Sequence, residues 1–92
     1  MKEIEIFYLP GCPYCKSART AIEELTAENP AYAALPLRWI NEQTERALAD
    51  SRDYYYVPTF YHNGEKLYEC SPRDDRAAIK AHIKAVFDKA LN

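Results

Sequence analysis

The feature that most constrains the fold of this chain is a junction near its start. The apolar run Ile4-Glu5-Ile6-Phe7-Tyr8-Leu9 alternates at first and then becomes continuous, the pattern of a buried strand. Pro10-Gly11 breaks it. From about Pro13 to Glu28 the apolar positions Ala18, Ala21, Ile22 and Leu25 recur at helical spacing. Leu37-Arg38-Trp39-Ile40-Asn41 then reads as a second strand. Strand, helix and strand in that order demand a parallel pair joined by a right-handed crossover. The junction itself carries Cys12-Pro13-Tyr14-Cys15. A C-x-x-C where a strand hands over to a helix reads as a thiol redox site. The reason is electrostatic: the thiolate is the reactive form, and the free N–H groups of a helix start stabilise an anion.

The rest of the chain completes the pattern. Asn29-Pro30 ends the first helix, because the residue before a proline is pushed out of the helical region. Thr44 to about Asp50 is a predicted short helix around Ala47 and Leu48. Thr59–His62 and Lys66–Glu69 are predicted strands flanking Asn63-Gly64, a strong hairpin signal because both turn residues tolerate positive φ. Ser71, Pro72 and Asp74 fit the N-cap, first helical position and capping acid of a last helix. Ile79, Ile83, Val86 and Ala90 form its apolar face. The order β-α-β-α-β-β-α predicts an α/β fold with a mixed four-stranded sheet and three helices.

Composition narrows the function. Ninety-two residues make a single domain, 1–92, and a 48% apolar fraction with eight tyrosines, three phenylalanines and one tryptophan fills one modest core. The net charge of −2 and the lack of a basic stripe argue against nucleic acid and against an anionic membrane surface. No apolar run approaches the roughly 18 residues of a membrane span. Met1-Lys2-Glu3-Ile4-Glu5 carries charge where a signal peptide needs an apolar core. Three cysteines with one close pair do not form the framework of a secreted disulfide scaffold; a reducing, cytoplasmic setting fits them better.

Cys12-Pro13-Tyr14-Cys15 after the first strand, with Val57-Pro58-Thr59 opening the third, resembles the thioredoxin superfamily. The Pro-Tyr dipeptide between the cysteines resembles the dithiol glutaredoxins in particular, and the element order matches their minimal core over nearly the whole chain. The resemblance implies a cis bond before Pro58, packed against the C-x-x-C. It implies a thiol–disulfide oxidoreductase in which Cys12 attacks and Cys15 resolves. In C-x-x-C sites the first thiol is acidified to roughly 3.5–7 from an ordinary value of about 8.5. Lys16 and Arg19 add positive charge near this helix start. Pro13 shapes the helix start, and Tyr14 is expected to be exposed beside Cys12 and to contact substrate; the resemblance further implies that the backbone of Val57 pairs with an extended substrate segment beside Pro58.

A glutathione groove would use the start of the last helix, from Ser71 to Asp75, for the γ-glutamyl carboxylate. Asp74 or Asp75 would take the α-amino group. Many glutaredoxins carry Gly-Gly before this helix, where this chain has Tyr68-Glu69-Cys70, and a Lys where it has Leu9. Thioredoxins carry a buried acid at the position of Ile6 and Trp-Cys-Gly-Pro-Cys at the site. Two electron donors therefore stay open: glutathione, or a flavoprotein reductase serving a thioredoxin-like protein reductase. No bound cofactor is required. The expected partners are glutathione and disulfide-containing proteins, and the expected state is a monomer.

The same residues admit other readings. C-x-x-C is also half a zinc site, yet Cys70, His62 and His82 do not form a matching second pair. A shared iron–sulfur cluster goes mainly with monothiol relatives, and Cys15 stands against it. Cys70 reads first as a small buried apolar side chain and second as a regulatory thiol. Tyr54-Tyr55-Tyr56 divides between packing and a groove wall, because adjacent residues face opposite ways. Trp39 reads as sheet-face packing, His62 as a hairpin-edge residue and His82 as a helix-surface residue.

Overall fold

A computed structural model of the protein describes residues 2–92; Met1, the first residue of the expected domain, lies outside the described residues. The elements are β1 (Ile4–Tyr8), α1 (Pro13–Glu28), α2 (Pro30–Ala33), β2 (Leu37–Asn41), α3 (Arg46–Asp50), β3 (Thr59–His62), β4 (Glu65–Glu69) and α4 (Arg76–Leu91). The sheet runs β2-β1-β3-β4, with β1 and β2 parallel and the β1/β3 and β3/β4 pairs antiparallel. This is the expected mixed four-stranded sheet. The β3–β4 turn takes Asn63 and Gly64 at φ 55° and 82°, the positive values a tight hairpin requires.

β1 is an inner strand, and helices pack on both of its faces. Ile4 and Ile6 point into the larger core with Ala18, Leu25, Ile83 and Phe87 of α1 and α4, and Phe7 points the other way, to Ile40, Ala49 and Tyr61. Ile4, Ile6, Phe7, Phe60 and Phe87 are completely buried. Each such side chain contributes about 1.5–3 kcal/mol relative to leaving it in water.

Three expectations on the elements are corrected. First, the segment after α1 contains an extra single-turn helix, α2. Asn29 is extended (φ −142°, ψ 114°), as the residue before Pro30 must be, and its side chain also accepts the Ala31 N–H at 2.9 Å. It ends one helix and caps the next. The payload of α2 is Tyr32, buried against the Phe87 ring at 5.5 Å with its hydroxyl donating to Asp88. Second, α3 buries Ala49 and leans Leu48 on the smaller core, while Ala47 faces solvent. Third, the last helix starts at Arg76, not at Ser71. Its N-cap is Asp75, whose carboxylate accepts the Ala78 N–H at 2.8 Å. Ser71 to Asp74 is a separate turn closed by the Asp74 N–H on the Ser71 carbonyl at 2.9 Å. The face Ile79, Ile83, Val86 and Ala90 is buried as expected, with Phe87 joining it.

Candidate active site

Cys12 is the N-cap of α1 and Pro13 takes the first helical turn. Proline suits this place because its missing N–H is one the helix cannot use and its fixed φ is already helical. The Cys15 N–H, one turn in, points back to the Cys12 sulfur at 3.4 Å. An N–H aimed at a sulfur supports negative charge there. Across the cleft the Cys12 thiol donates to the Val57 carbonyl at 3.8 Å, and the Val57–Pro58 bond is cis. Gly11, at φ 80°, provides the left-handed residue that turns β1 into this cap.

The cysteines differ in exposure. Cys12 is half-buried, whereas Cys15 and Cys70 are buried. Burial pushes the Cys15 thiol up to about 12, and the neighbouring Cys12 sulfur adds to the rise against a lowering contact from the Leu9 backbone. Burial likewise raises Cys70, with Tyr68 opposing it. Cys70 sits in the larger core and its N–H donates to the Pro58 carbonyl at 3.0 Å, so it backs the cis-proline. Among the described residues no three His, Cys, Asp or Glu side chains come together as a metal-ligand set.

Tyr14 is half-buried rather than exposed. It packs against the larger core and its hydroxyl reaches the Pro72 carbonyl at 3.5 Å, tying α1 to the Ser71–Asp74 turn. The N–H groups of that turn are largely consumed. Ser71 donates to Asp74 Oδ2 at 3.1 Å, Arg73 to Ser71 Oγ at 3.2 Å, and Asp74 to the Ser71 carbonyl. Of the stretch from Ser71 to Asp75 expected to bind an anion, the turn residues Ser71, Arg73 and Asp74 therefore have their N–H groups paired within the turn. The Tyr68 hydroxyl donates to Asp74 Oδ2 at 2.7 Å and holds that carboxyl below the usual range, with Ser71 helping. His82, exposed on α4, stacks on the Tyr68 ring at 4.7 Å.

The three tyrosines before the cis-proline separate cleanly. Tyr54 packs on Phe7 at 5.2 Å and its hydroxyl donates to Glu42 at 2.6 Å. Tyr55 and Tyr56 are 90% and 50% exposed, so they stand free beside Val57. What holds them is Glu69. One of its oxygens accepts both the Tyr55 and Tyr56 N–H groups at 2.7 Å, and the other pairs with Lys66 at 2.8 Å. Burial alone raises the Glu69 carboxyl; Lys66 and the two N–H groups outweigh it and hold it low. No sequence pattern marks this clamp, since its partners are 13 and 14 positions away.

On the other side of Cys12 a groove of about 520 Å³ runs between the β1–α1 loop and α1, lined by Tyr8, Leu9, Pro13, Lys16 and Arg19. No helix among the described residues is long and apolar enough to cross a membrane.

Comparison with known proteins agrees with this geometry. The family described as glutathione S-transferase, N-terminal domain, matches residues 6–72. A curated protein named thioredoxin from Methanocaldococcus jannaschii is 30% identical over 83 residues, covering 88% of this chain and 95% of the relative. Among solved structures, thioredoxin 1 from Thermosipho africanus superposes with a TM-score of 0.61 at 13% identity, covering 98% of this chain and 99% of that one. A mutant thioredoxin from Halobacterium salinarum gives 0.58 at 23% identity, covering 91% of this chain and 73% of that one.

Proposed function

Because this chain belongs to the thioredoxin superfamily, we propose that it is a thiol–disulfide oxidoreductase of the glutaredoxin-like kind, working through a Cys12/Cys15 dithiol. The observation that carries this reading is the pairing of a half-buried Cys12 cap, facing Val57 across the cis-proline, with a buried Cys15 behind it.

The sulfur of Cys12 attacks one sulfur of a disulfide. The substrate S–S bond breaks, a mixed disulfide forms on Cys12, and the other half leaves as a thiolate that takes up a proton. Cys15 keeps its proton until then, because burial holds its thiol high. On losing it, Cys15 attacks the Cys12 sulfur. The mixed disulfide breaks, the second substrate thiol is released, and the protein, having passed two electrons to the substrate, is left with a Cys12–Cys15 disulfide. Two molecules of glutathione restore the dithiol and become glutathione disulfide. For glutathione mixed disulfides, a second glutathione can instead release Cys12 directly.

Val57 offers its backbone to an extended segment of substrate, with Pro13, Tyr14 and Pro58 as walls. Asp74, kept anionic by Tyr68 and Ser71, is the proposed partner of the glutathione α-ammonium group. The match to a domain named for glutathione S-transferases supports glutathione as donor. The protein is proposed to act as a monomer in a reducing, cytoplasmic setting. A second reading, a thioredoxin-like protein reductase fed by a flavoprotein, is favoured by the 30% identity to a curated thioredoxin.

The test is turnover of a glutathione mixed disulfide coupled to glutathione reductase. Wild type and Cys15→Ser are expected to be active, and Cys12→Ser to fall to background. An inactive wild type would contradict the glutathione route, and insulin reduction with a flavoprotein donor would then test the second reading.

A further inference from the structure

The protein is acidic overall, with a net charge of −2, yet its free positive charge is gathered at one end. Most basic side chains sit in ion pairs, from Arg38 with Glu45 to Lys89 with Glu65. Apart from Lys2 near the terminus, those that form none among the described residues are Lys16, Arg19, Arg73 and Arg76. Lys16 and Arg19 line the groove of about 520 Å³ at Cys12. Lys16 and Pro13 also line a second groove of about 310 Å³, together with Arg76. Arg73 stands in the turn that Tyr14 touches. No carboxylate lines either groove.

Arg19 is placed, not merely exposed. Its guanidinium lies 3.9 Å over the Trp39 ring and 5.1 Å from the Tyr8 centroid, and those rings meet edge to face at 5.8 Å. Stacking fixes the plane of the guanidinium while leaving its edge donors open to a carboxylate. Among the described residues those donors have no carboxylate partner. Trp39 is therefore more than sheet-face packing: it is the platform that holds this cation.

The spacing identifies the ligand. Arg19 lies seven positions beyond the Cys12 cap, so its backbone is roughly 10 Å further along the α1 axis and on the same face, and both residues line one groove. An extended peptide covers that distance in about three residues. We propose that the groove beside Cys12 seats an acidic segment of a disulfide-bearing protein partner, with a carboxylate about three residues from the partner's reactive cysteine held by Arg19 and Lys16. This deepens the oxidoreductase reading and rests on it. The occupant is a peptide segment and not a small disulfide, because the open cations line two grooves that share Pro13 and Lys16, a longer stretch than a small disulfide spans.

The experiment measures second-order rates of the reduced protein with mixed disulfides of short peptides and a neutral thiol. Glu or Lys is placed one, three or six residues from the cysteine, and each rate is normalised to hydroxyethyl disulfide in the same variant. At low ionic strength Glu at the third position is expected to exceed Lys there by about tenfold or more. The ratio should fall towards one at about 1 M salt, where screening acts within roughly 3 Å. Arg19→Glu should invert the preference, and Arg19→Lys should keep part of it. A wild-type ratio of one would overturn the proposal, as would equal preference at all positions. Preference to the same extent for a small dicarboxylate disulfide such as dithiodiglycolate, which lacks the ammonium group that Asp74 would hold, would overturn the protein occupant. Should Arg19→Glu fail to fold, the wild-type salt and position series still decides. Failure to reduce hydroxyethyl disulfide at all would contradict the oxidoreductase reading itself.

Discussion

Cys12 is half-buried at a helix cap, while Cys15 and Cys70 are only 3% and 1% exposed. Brief treatment of the native reduced protein with iodoacetamide at neutral pH is therefore expected to place one label, on Cys12, and denaturation to add two more. Comparable labelling of Cys15 or Cys70 would contradict the burial pattern. Cys15 also carries a stability signature. Its thiol moves from 9.0 to about 12 on folding, so between those values the folded state keeps a proton that the unfolded chain has lost. Its contribution is complete below pH 9 and shrinks as pH rises towards 12. Reduced wild type should lose more stability between pH 8 and pH 10 than Cys15→Ala, measured by urea midpoint; parallel losses would contradict it. The placing of Cys12-Pro13-Tyr14-Cys15 at a helix start and the cis bond before Pro58 were legible because their motifs are local. The Arg19–Trp39 contact was not, since it joins α1 to β2 across the fold and no local pattern records it.

At the scale of elements, long periodic segments were legible and caps were less so. α1 and β2 have the bounds read from the sequence, because a proline pins one end of α1 and its partner Asn29 the other. Ser71-Pro72 imitated a helix start, and Asp74 does accept the Ser71 N–H as a capping acid would. The stronger cap four residues on, Asp75, starts α4 instead. Asn29-Pro30 is a stop signal for α1, and the same two residues also serve as the cap and first residue of α2. The loop before β3 depends on Glu69. Glu69→Ala removes the acceptor of the Tyr55 and Tyr56 N–H groups, and is expected to cost about 1 kcal/mol. Chymotrypsin should then cut beside Tyr55 several-fold faster. Because Glu69 is held anionic, the clamp is present above the usual carboxylate range and is lost as pH falls through its depressed value. Unchanged cleavage in Glu69→Ala would remove the clamp from the account.

For the whole molecule, a radius of gyration of 12.3 Å is what a compact domain of this length should have, about 12 Å. The topology was legible because a βαβ unit and a hairpin leave few ways to order the strands. The charge layout was hidden behind the net value of −2, since only the fold shows which cations have carboxylates beside them. Stability rests largely on the larger core, and Phe87→Ala is expected to cost about 3–5 kcal/mol by denaturant unfolding, as the ring is fully buried between α4, α2 and the sheet. A loss under about 1 kcal/mol would contradict that placement. The central claim is that this thioredoxin-fold redox protein divides its chemistry between an attacking Cys12 and a resolving Cys15. The most direct test is intact mass analysis after mixing each reduced protein with a peptide disulfide. Cys15→Ser should accumulate a single peptide adduct on Cys12. Wild type should pass through it to a product lighter than the reduced protein by two hydrogens, and Cys12→Ser should stay unmodified. An adduct on Cys15 or Cys70 in Cys12→Ser, formed as fast as in the other proteins, would contradict the account.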